Sequence, residues 1–458
     1  MGSLNQAPMG YPIFPALVTT MRPFLIFLLA GIPAMAACEN GKDEFKAPIP
    51  SVALGGQALE RTLSLSPLGD PPPDTSNRVA DDPAAAAFGE ELFFTKDLSP
   101  TGTIACATCH DPEQGWSDGK SLSVGLDELS RNSPTLWNAA YSRWYFWDGR
   151  ADSLWAQALQ PLEHPKEMGS DRLFVAHAIG RSPTWTEAYE SLFGALPPLD
   201  NPDRFPPQGR PIPDDPSHTH HRAWTDMREE DREAVTEVFV NVGKAIAAFE
   251  RTVITGRAPF DVFVEGLRED DPGKLAALSP SALRGLRIFV GQGECIICHT
   301  GPNFSDNEFH NLGLAKPVTD PNDRFAGVEA VRADPFNARG AYSDDTEGRT
   351  ARHVRFVRQN EEQLGQYKTP TLRNITETAP YMHDGRFATL EDVVRFYSDL
   401  PGEPPVGHRE DFMRPLNLSS IQIRDLVAFL ETLTEIEKDP KIADGTPEAT
   451  REVNTVEP

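Results

Sequence analysis

Cys106-Ala107-Thr108-Cys109-His110 and Cys295-Ile296-Ile297-Cys298-His299 are the two stretches on which the reading of this chain turns. In a Cys-x-x-Cys-His unit the two thiols add across the vinyl groups of a haem, and the adjoining imidazole reaches the iron as its proximal ligand. Zinc and redox-dithiol chemistry compete for a lone Cys-x-x-Cys. Here both copies end in His, and of five cysteines only Cys38 stands outside them, too few for a zinc tetrahedron or a disulfide framework. The sequence therefore predicts two covalent c-type haems, one on Cys106, Cys109 and His110, the other on Cys295, Cys298 and His299.

Export fits this chemistry. Residues Met21 to Ala37 give a weakly basic start, a short apolar core and small residues before Cys38, which reads as a signal peptide over 1–37, too short to span a membrane. The Met35-Ala36-Ala37-Cys38 run fits either a lipid anchor on Cys38 or simple cleavage nearby. A periplasmic location follows. The 43 Lys+Arg against 68 Asp+Glu leave a formal charge of −25, which repels nucleic acid and anionic membranes. A chain of 458 residues is expected to hold two or three domains at about 100–200 residues each.

The apolar spacing is helical. Val235, Val238, Phe239, Val242, Ile246 and Phe249 mark a long amphipathic helix ending near Thr252. Ser279-Pro280 caps a helix carrying Leu283, Leu286 and Phe289, and Ile423, Leu426, Val427, Leu430 and Leu433 mark a last one. Strand-like alternation is scarce, so the class is all-α, with irregular stretches at Pro197–Arg222 and Lys316–Glu362. The tract Ser217–His221 is read as a loop with no metal role.

The chain also repeats itself. Pro134-Thr135-Leu136, Asn138, Asp148-Gly149-Arg150 and Leu154 match Pro370-Thr371-Leu372, Asn374, Asp384-Gly385-Arg386 and Leu390 at identical spacings. We expect two tandem cytochrome c-like domains related by this internal repeat, 78–258 and 275–437, with a hinge around Pro259 to Pro280, a flexible tether at 38–77 and a flexible tail at 438–458.

The repeat also places Pro161 where the second copy has Tyr397, each eleven residues after the matched arginine. Proline cannot ligate iron, which leaves the first haem open to an oxidant such as peroxide. Tyr397 is either a buried helical tyrosine or a phenolate ligand that favours high oxidation states. Five of the seven tryptophans, Trp116, Trp137, Trp144, Trp147 and Trp155, crowd into forty residues, where they pack or couple the irons.

These motifs, with Arg131-Asn132-Ser133-Pro134-Thr135, Phe146-Trp147-Asp148-Gly149-Arg150 and Thr369 to Arg386, resemble the bacterial dihaem cytochrome c peroxidases and their MauG-like relatives over about Ala86 to Leu433. The resemblance implies that Trp147 lies between the haems. It implies that Gln157, Pro161 and Glu167 form a distal peroxide pocket, and that Asn132, Thr378 and Pro380 hold Ca2+. Without it, Glu167 is simply a charge on a solvated helix face and Pro380 ordinary turn chemistry. It places Tyr397 on the axial position of the second haem, where plain peroxidases carry Met and MauG-like members Tyr. The position of the distal His of plain peroxidases falls on Val124. Both departures resemble the MauG-like branch, and within it the methanobactin-associated MbnH members. The implied reaction uses hydrogen peroxide, through a bis-Fe(IV) type state, to oxidise tryptophan or tyrosine on a periplasmic protein, an MbnP-like copper-binding protein whose tryptophan becomes kynurenine. The alternatives are a cytochrome c peroxidase fed by a small redox protein and a non-catalytic electron-transfer cytochrome. The tryptophan that MauG uses to reach its substrate corresponds to Gly293, which leaves the exit route open.

Overall fold

The computed structural model describes residues 54–314 and 323–436. The signal segment, Cys38 and the tail at 438–458 lie outside the described residues. Ahead of the first attachment motif stand α1 (Gly56–Leu63) and α2 (Pro83–Phe94). The Asp82 carboxylate accepts from the backbone N–H of Ala84 and Ala85, and Pro83 is already fixed at a helical φ, so α2 starts sharply. Ser153 caps α3 (Leu154–Glu163), and Asp171 and Ser182 cap α4 (Arg172–Arg181) and α5 (Pro183–Phe193) in the same way. Then come α6 (Thr219–Asp226) and the 22-residue α7 (Glu229–Glu250). The periodic run from Val235 to Phe249 is the buried stripe of α7, which packs across α2, α3 and α4 around Phe93, Trp155, Leu159 and Phe239.

The second half holds α8 (Pro259–Glu269), α9 (Pro272–Leu275), α10 (Pro280–Val290), α11 (Arg324–Ala333), α12 (Arg349–Phe356), α13 (Leu390–Asp399) and α14 (Ser420–Glu431). Ser279 Oγ accepts from Ala282 N at 3.2 Å, the cap the sequence predicts for α10. Among the described residues the only sheet is a two-residue antiparallel ladder, Phe309↔Lys368 and His310↔Tyr367. The fold is all-α, and no described helix is long and apolar enough to cross a membrane.

Each half is built around one close helix crossing. A Cβ on Gly89 would collide with the carbonyl of Ala245 on α7, and one on Gly285 with the carbonyl of Asp425 on α14. Only a residue without a side chain lets α2 reach α7 and α10 reach α14. Short motifs recur between the halves as well. Asn138 and Asn374 both sit in the left-handed region, and the paired bridges Tyr145↔Ala151 and Tyr381↔Phe387 precede α3 and α13.

Several expectations need correction. The segment expected as a flexible tether contains α1, whose Leu59 and flanking Leu54 and Leu65 pack into the second core; Arg61 Nη1 also donates to Val290 O at 2.6 Å. The expected hinge is α8 and α9, with Phe260, Phe263 and Val264 fully buried. Asp261 of α8 forms a buried two-pronged pair with Arg373, both contacts at 3.0 Å, and accepts from Ser66 Oγ at 2.7 Å. Burial pushes the Asp261 carboxyl up, but the Arg373 guanidinium and these donors more than offset it and hold it below the usual range. The irregular stretches carry α6, α11 and α12. In the His tract, His218 caps α6 and His221 Nδ1 accepts from Ile212 N at 2.9 Å.

Two outcomes follow from this packing. Gly285→Ala is expected to destabilise the protein by about 1–3 kcal/mol in thermal or denaturant unfolding, because the crossing has no room for a methyl group. Burial pushes the Glu250 carboxyl up to about 8, with its Oε2 unpaired. The folded state thus holds this proton more tightly than the unfolded chain does at its ordinary 4.5. Its stabilising contribution is full below that value and is lost as pH rises towards about 8, at roughly 1.4 kcal/mol per pH unit. Melting temperatures of Glu250→Gln should decline less than those of the wild type over that window.

Candidate active site

Each attachment motif folds as a single 3-10 turn, Cys106–Thr108 and Cys295–Ile297. His110 Nδ1 lies 3.2 Å from the carbonyl oxygen of Trp116, and His299 Nδ1 lies 2.9 Å from that of Phe304. A carbonyl only accepts, so each Nδ1 carries the proton and each Nε2 keeps a lone pair for a metal. Desolvation lowers the pKa of both imidazoles, which keeps them neutral ligands. The carbonyls are aimed by strained backbone: Trp116 and Phe304 have φ of 57° and 51°, a region that bulky residues avoid.

One continuous cavity joins the two motifs, lined by Cys109 and His110 at one end and by Cys295, Cys298 and His299 at the other. Cys106 packs beside the first core, and all four motif thiols are free of disulfides. The cavity wall carries donors without acceptors: Trp137 Nε1 and Tyr367 Oη make no hydrogen bond. Lys368 Nζ reaches only the carbonyl of Thr369, at 3.3 Å, and desolvation pushes its ammonium down to about 8. Free thiols, lone-pair imidazoles and unsatisfied donors fit the vinyls, iron and carboxylates of two haems.

The two ends differ in what faces each imidazole. Gln157 and Pro161 of α3 line the first end together with Glu167, and none of the three offers a strong iron ligand in place of solvent. Val124 is 38% exposed and its side chain brings no ligand either. Tyr397 occupies on α13 the place Pro161 occupies on α3, each the eighth residue of its helix. It lines the second end, and its phenol is raised by desolvation and then by the facing Cys298 and Cys295 sulfurs.

Glu167 is set up to hold a proton. Burial raises its pKa, Arg150 counters only partly, and His164 Nδ1 stands 3.3 Å from Oε1. Arg150 is itself fixed, with Nε on Gln160 Oε1 at 3.1 Å, Nη1 on Asp148 Oδ2 at 3.0 Å and its guanidinium 3.5 Å from the Phe146 ring centroid. Trp147 is pinned from both halves: its Nε1 donates to Asn132 O at 2.9 Å, and its carbonyl accepts from Lys368 N at 2.8 Å. Asn132, Thr378 and Pro380 line the same cavity. Asn132 Nδ2 is spent on Lys120 O at 2.7 Å, which leaves its Oδ1 as an oxygen donor.

Sequence reasoning missed several members of the site. His310 is clamped between Asp306 Oδ2 at 2.8 Å and Glu410 Oε1 at 2.9 Å. Desolvation opposes its charge, but Asp306, the Cys298 sulfur and Glu410 outweigh it and carry the imidazole up to about 11. The four-residue spacing of Asp306 and His310 was a legible hint; Glu410, a hundred residues on, was not. The partners of Glu167, His164 and Arg150, likewise emerge only from the fold.

The sequence profile of di-haem cytochrome c peroxidases matches residues 83–269. The chain is 31% identical over 419 residues to cytochrome-c peroxidase IdrP1 of Denitromonas iodatirespirans, covering 88% of this chain and 97% of that one. It is 31% identical over 353 residues to the methylamine utilization protein MauG of Methylorubrum extorquens, covering 77% and 78%. In fold it is similar to a MauG-like protein associated with microbial copper homeostasis, at a TM-score of 0.56 and 24% identity over 82% of this chain and 98% of that one. The diheme peroxidase BthA from Burkholderia thailandensis gives a TM-score of 0.56 at 22% identity, over 78% and 87%.

The paired sites predict a simple count. Replacing both Cys106 and Cys109 by serine, or both Cys295 and Cys298, should halve the covalently bound haem, read by intact mass and by iron content.

Proposed function

The chain belongs to the di-haem cytochrome c peroxidase family, and from that premise we propose that it uses hydrogen peroxide to oxidise a tryptophan or tyrosine side chain of a partner protein. As a member it is a peroxidase-type oxidoreductase with two c-type haems, which supply the redox capacity to accept two oxidising equivalents from peroxide. The observation that carries the finer reading is the inequality of the two ends. Pro161 has no ligating side-chain atom and would leave one iron open to the oxidant, while Tyr397, at the same place on α13, would supply the other with a phenol oxygen.

The residues divide the work. Gln157 and Glu167 would orient peroxide at the His110 end, and Glu167, whose carboxyl burial shifts towards the protonated form, would deliver a proton to the departing oxygen. Trp147, which lines the cavity joining the two ends, would pass charge between them. For an aromatic partner side chain ArH the balance is ArH + H2O2 → ArOH + H2O. Peroxide takes two electrons and two protons to become two waters, and the ring loses two electrons and two protons as it takes oxygen from water. On the resemblance of the sequence to methanobactin-associated members, the partner is an MbnP-like copper-binding protein whose tryptophan passes on to kynurenine with a second peroxide and loss of one carbon as formic acid, Trp + 2 H2O2 → kynurenine + HCOOH + H2O. We further place Ca2+ at Asn132, Thr378 and Pro380, where amide and backbone oxygens suit a hard cation, and the enzyme in the periplasm.

Peroxide added to the fully oxidised enzyme should change its spectrum at once in stopped flow, whereas a plain peroxidase needs prior reduction. Glu167→Gln should slow this phase by roughly 10²–10⁴. Tyr397→Met should lose oxidation of the aromatic side chain; full wild-type oxidation by that variant would overturn the proposal.

A further inference from the structure

Trp144 touches two separate spaces. It lines the cavity between the motifs and also the floor of a surface groove bounded by Arg143, Arg324, Arg352, His353 and Phe356. Its ring is 6% exposed, 6.3 Å from the His353 ring and 6.5 Å from Phe309. Of the aromatic side chains on the groove only Trp144 also lines the cavity, since Phe309, His353 and Phe356 face the groove alone.

The groove is basic on a protein whose formal charge is −25. Arg324 is 3% exposed and pairs with no carboxylate among the described residues. Its guanidinium stacks 4.3 Å from the Trp144 ring centroid and 3.9 Å from that of Phe309, and Nη1 donates to Gly149 O at 2.9 Å. Arg143, Arg349 and Arg352 surround His353 and, after burial, hold its pKa down. The one carboxylate on the groove is Glu308, which pairs with Arg143 at 3.1 Å. Phe356, 68% exposed, gives the rim an apolar contact.

We propose that this groove docks an acidic segment of the partner protein that presents an oxidisable aromatic side chain, and that Trp144 carries electrons from that side chain inward to the cavity. The inference rests on the reading of the enzyme as an oxidant of a partner protein, and supplies the exit route that Gly293 leaves without a tryptophan. One electron leaves the partner ring for each electron that Trp144 passes inward. Two such transfers supply the two electrons that peroxide consumes, and Trp144 ends as it began. The Arg324 cation over the indole opposes positive charge on Trp144 while the groove is empty. A docked carboxylate offsets that field, so oxidising power reaches the surface when the partner is seated. Complementary charge also draws an acidic partner to this basic groove of an acidic enzyme, an attraction that salt weakens.

The test uses the dihaem holoenzyme with two peptide probes, Asp-Glu-Trp-Glu-Asp and Lys-Arg-Trp-Arg-Lys. Binding is read by fluorescence anisotropy of labelled peptide, and oxidation after peroxide addition by mass spectrometry as a gain of one oxygen. The acidic probe should bind and be oxidised at least tenfold better than the basic one, and the advantage should shrink as salt rises. Arg352→Glu, an exposed position, should weaken binding of the acidic probe at least tenfold, and Trp144→Phe should lower the oxidation rate at saturating peptide by a similar factor. If both variants oxidise the acidic probe as the wild type does, the groove and the route are overturned while the partner-oxidising reading stands. If the wild type consumes peroxide with a reduced small cytochrome yet oxidises neither peptide, the reading itself fails and takes this route with it.

Discussion

A hydrogen bond from an imidazole Nδ1 to a backbone carbonyl is the interaction on which the rest of this molecule depends. Cysteine sulfurs can tether a macrocycle, but only a fixed imidazole gives the metal a defined axis. Trp116 and Phe304, which accept that bond from His110 and His299, are themselves held at positive φ, a conformation of about 1–3 kcal/mol strain that survives because the surroundings over-determine it. Trp116 is locked among Phe93, Phe94, Trp137 and Phe249, and Phe304 between Phe260 and Phe289. The aromatic clusters of the two cores are therefore the supports of the two axes as well as buried surface.

Around those axes the cores are economical. One glycine per half lets a helix ahead of the attachment motif lie against a long helix from the end of that half, and the second half adds the buried Arg373–Asp261 pair. That pair joins α8 to the loop that approaches the second motif, and Ser66 joins it from the segment before α2. Breaking one member of such a buried pair leaves an uncompensated charge, so α8 is tied into the second core where a hinge was expected.

Much of this was legible in the sequence, for identifiable reasons. Cys-x-x-Cys-His carries its chemistry locally, and the long periodic run of α7 and the Ser279-Pro280 start of α10 are strong short-range signals. What escaped was brief or distant. α8 does carry a helical period, Phe260, Phe263, Val264 and Leu267, but it lies between Pro259 and Pro272, which read as breakers, while α1 and α9 are too short to show one and become helices by packing on a core made elsewhere. The pairing of Glu167 with His164 and Arg150, and of His310 with Glu410, joins residues whose side chains meet only after folding. The resemblance located Trp147 and Tyr397, while the pinning of Trp147 by Asn132 and Lys368 required coordinates.

The helix α12 has a further meaning. It belongs to a stretch inserted between the second His and the Pro370-Thr371-Leu372 run, and apart from Ala351 and Val354 it contributes little to either core. Because α12 walls the proposed docking groove while lying outside both main cores, its sequence can change without disturbing the scaffold that carries the two attachment motifs. Exchanging α12 and its flanks is thus a route to redirecting the oxidant without redesigning the catalyst.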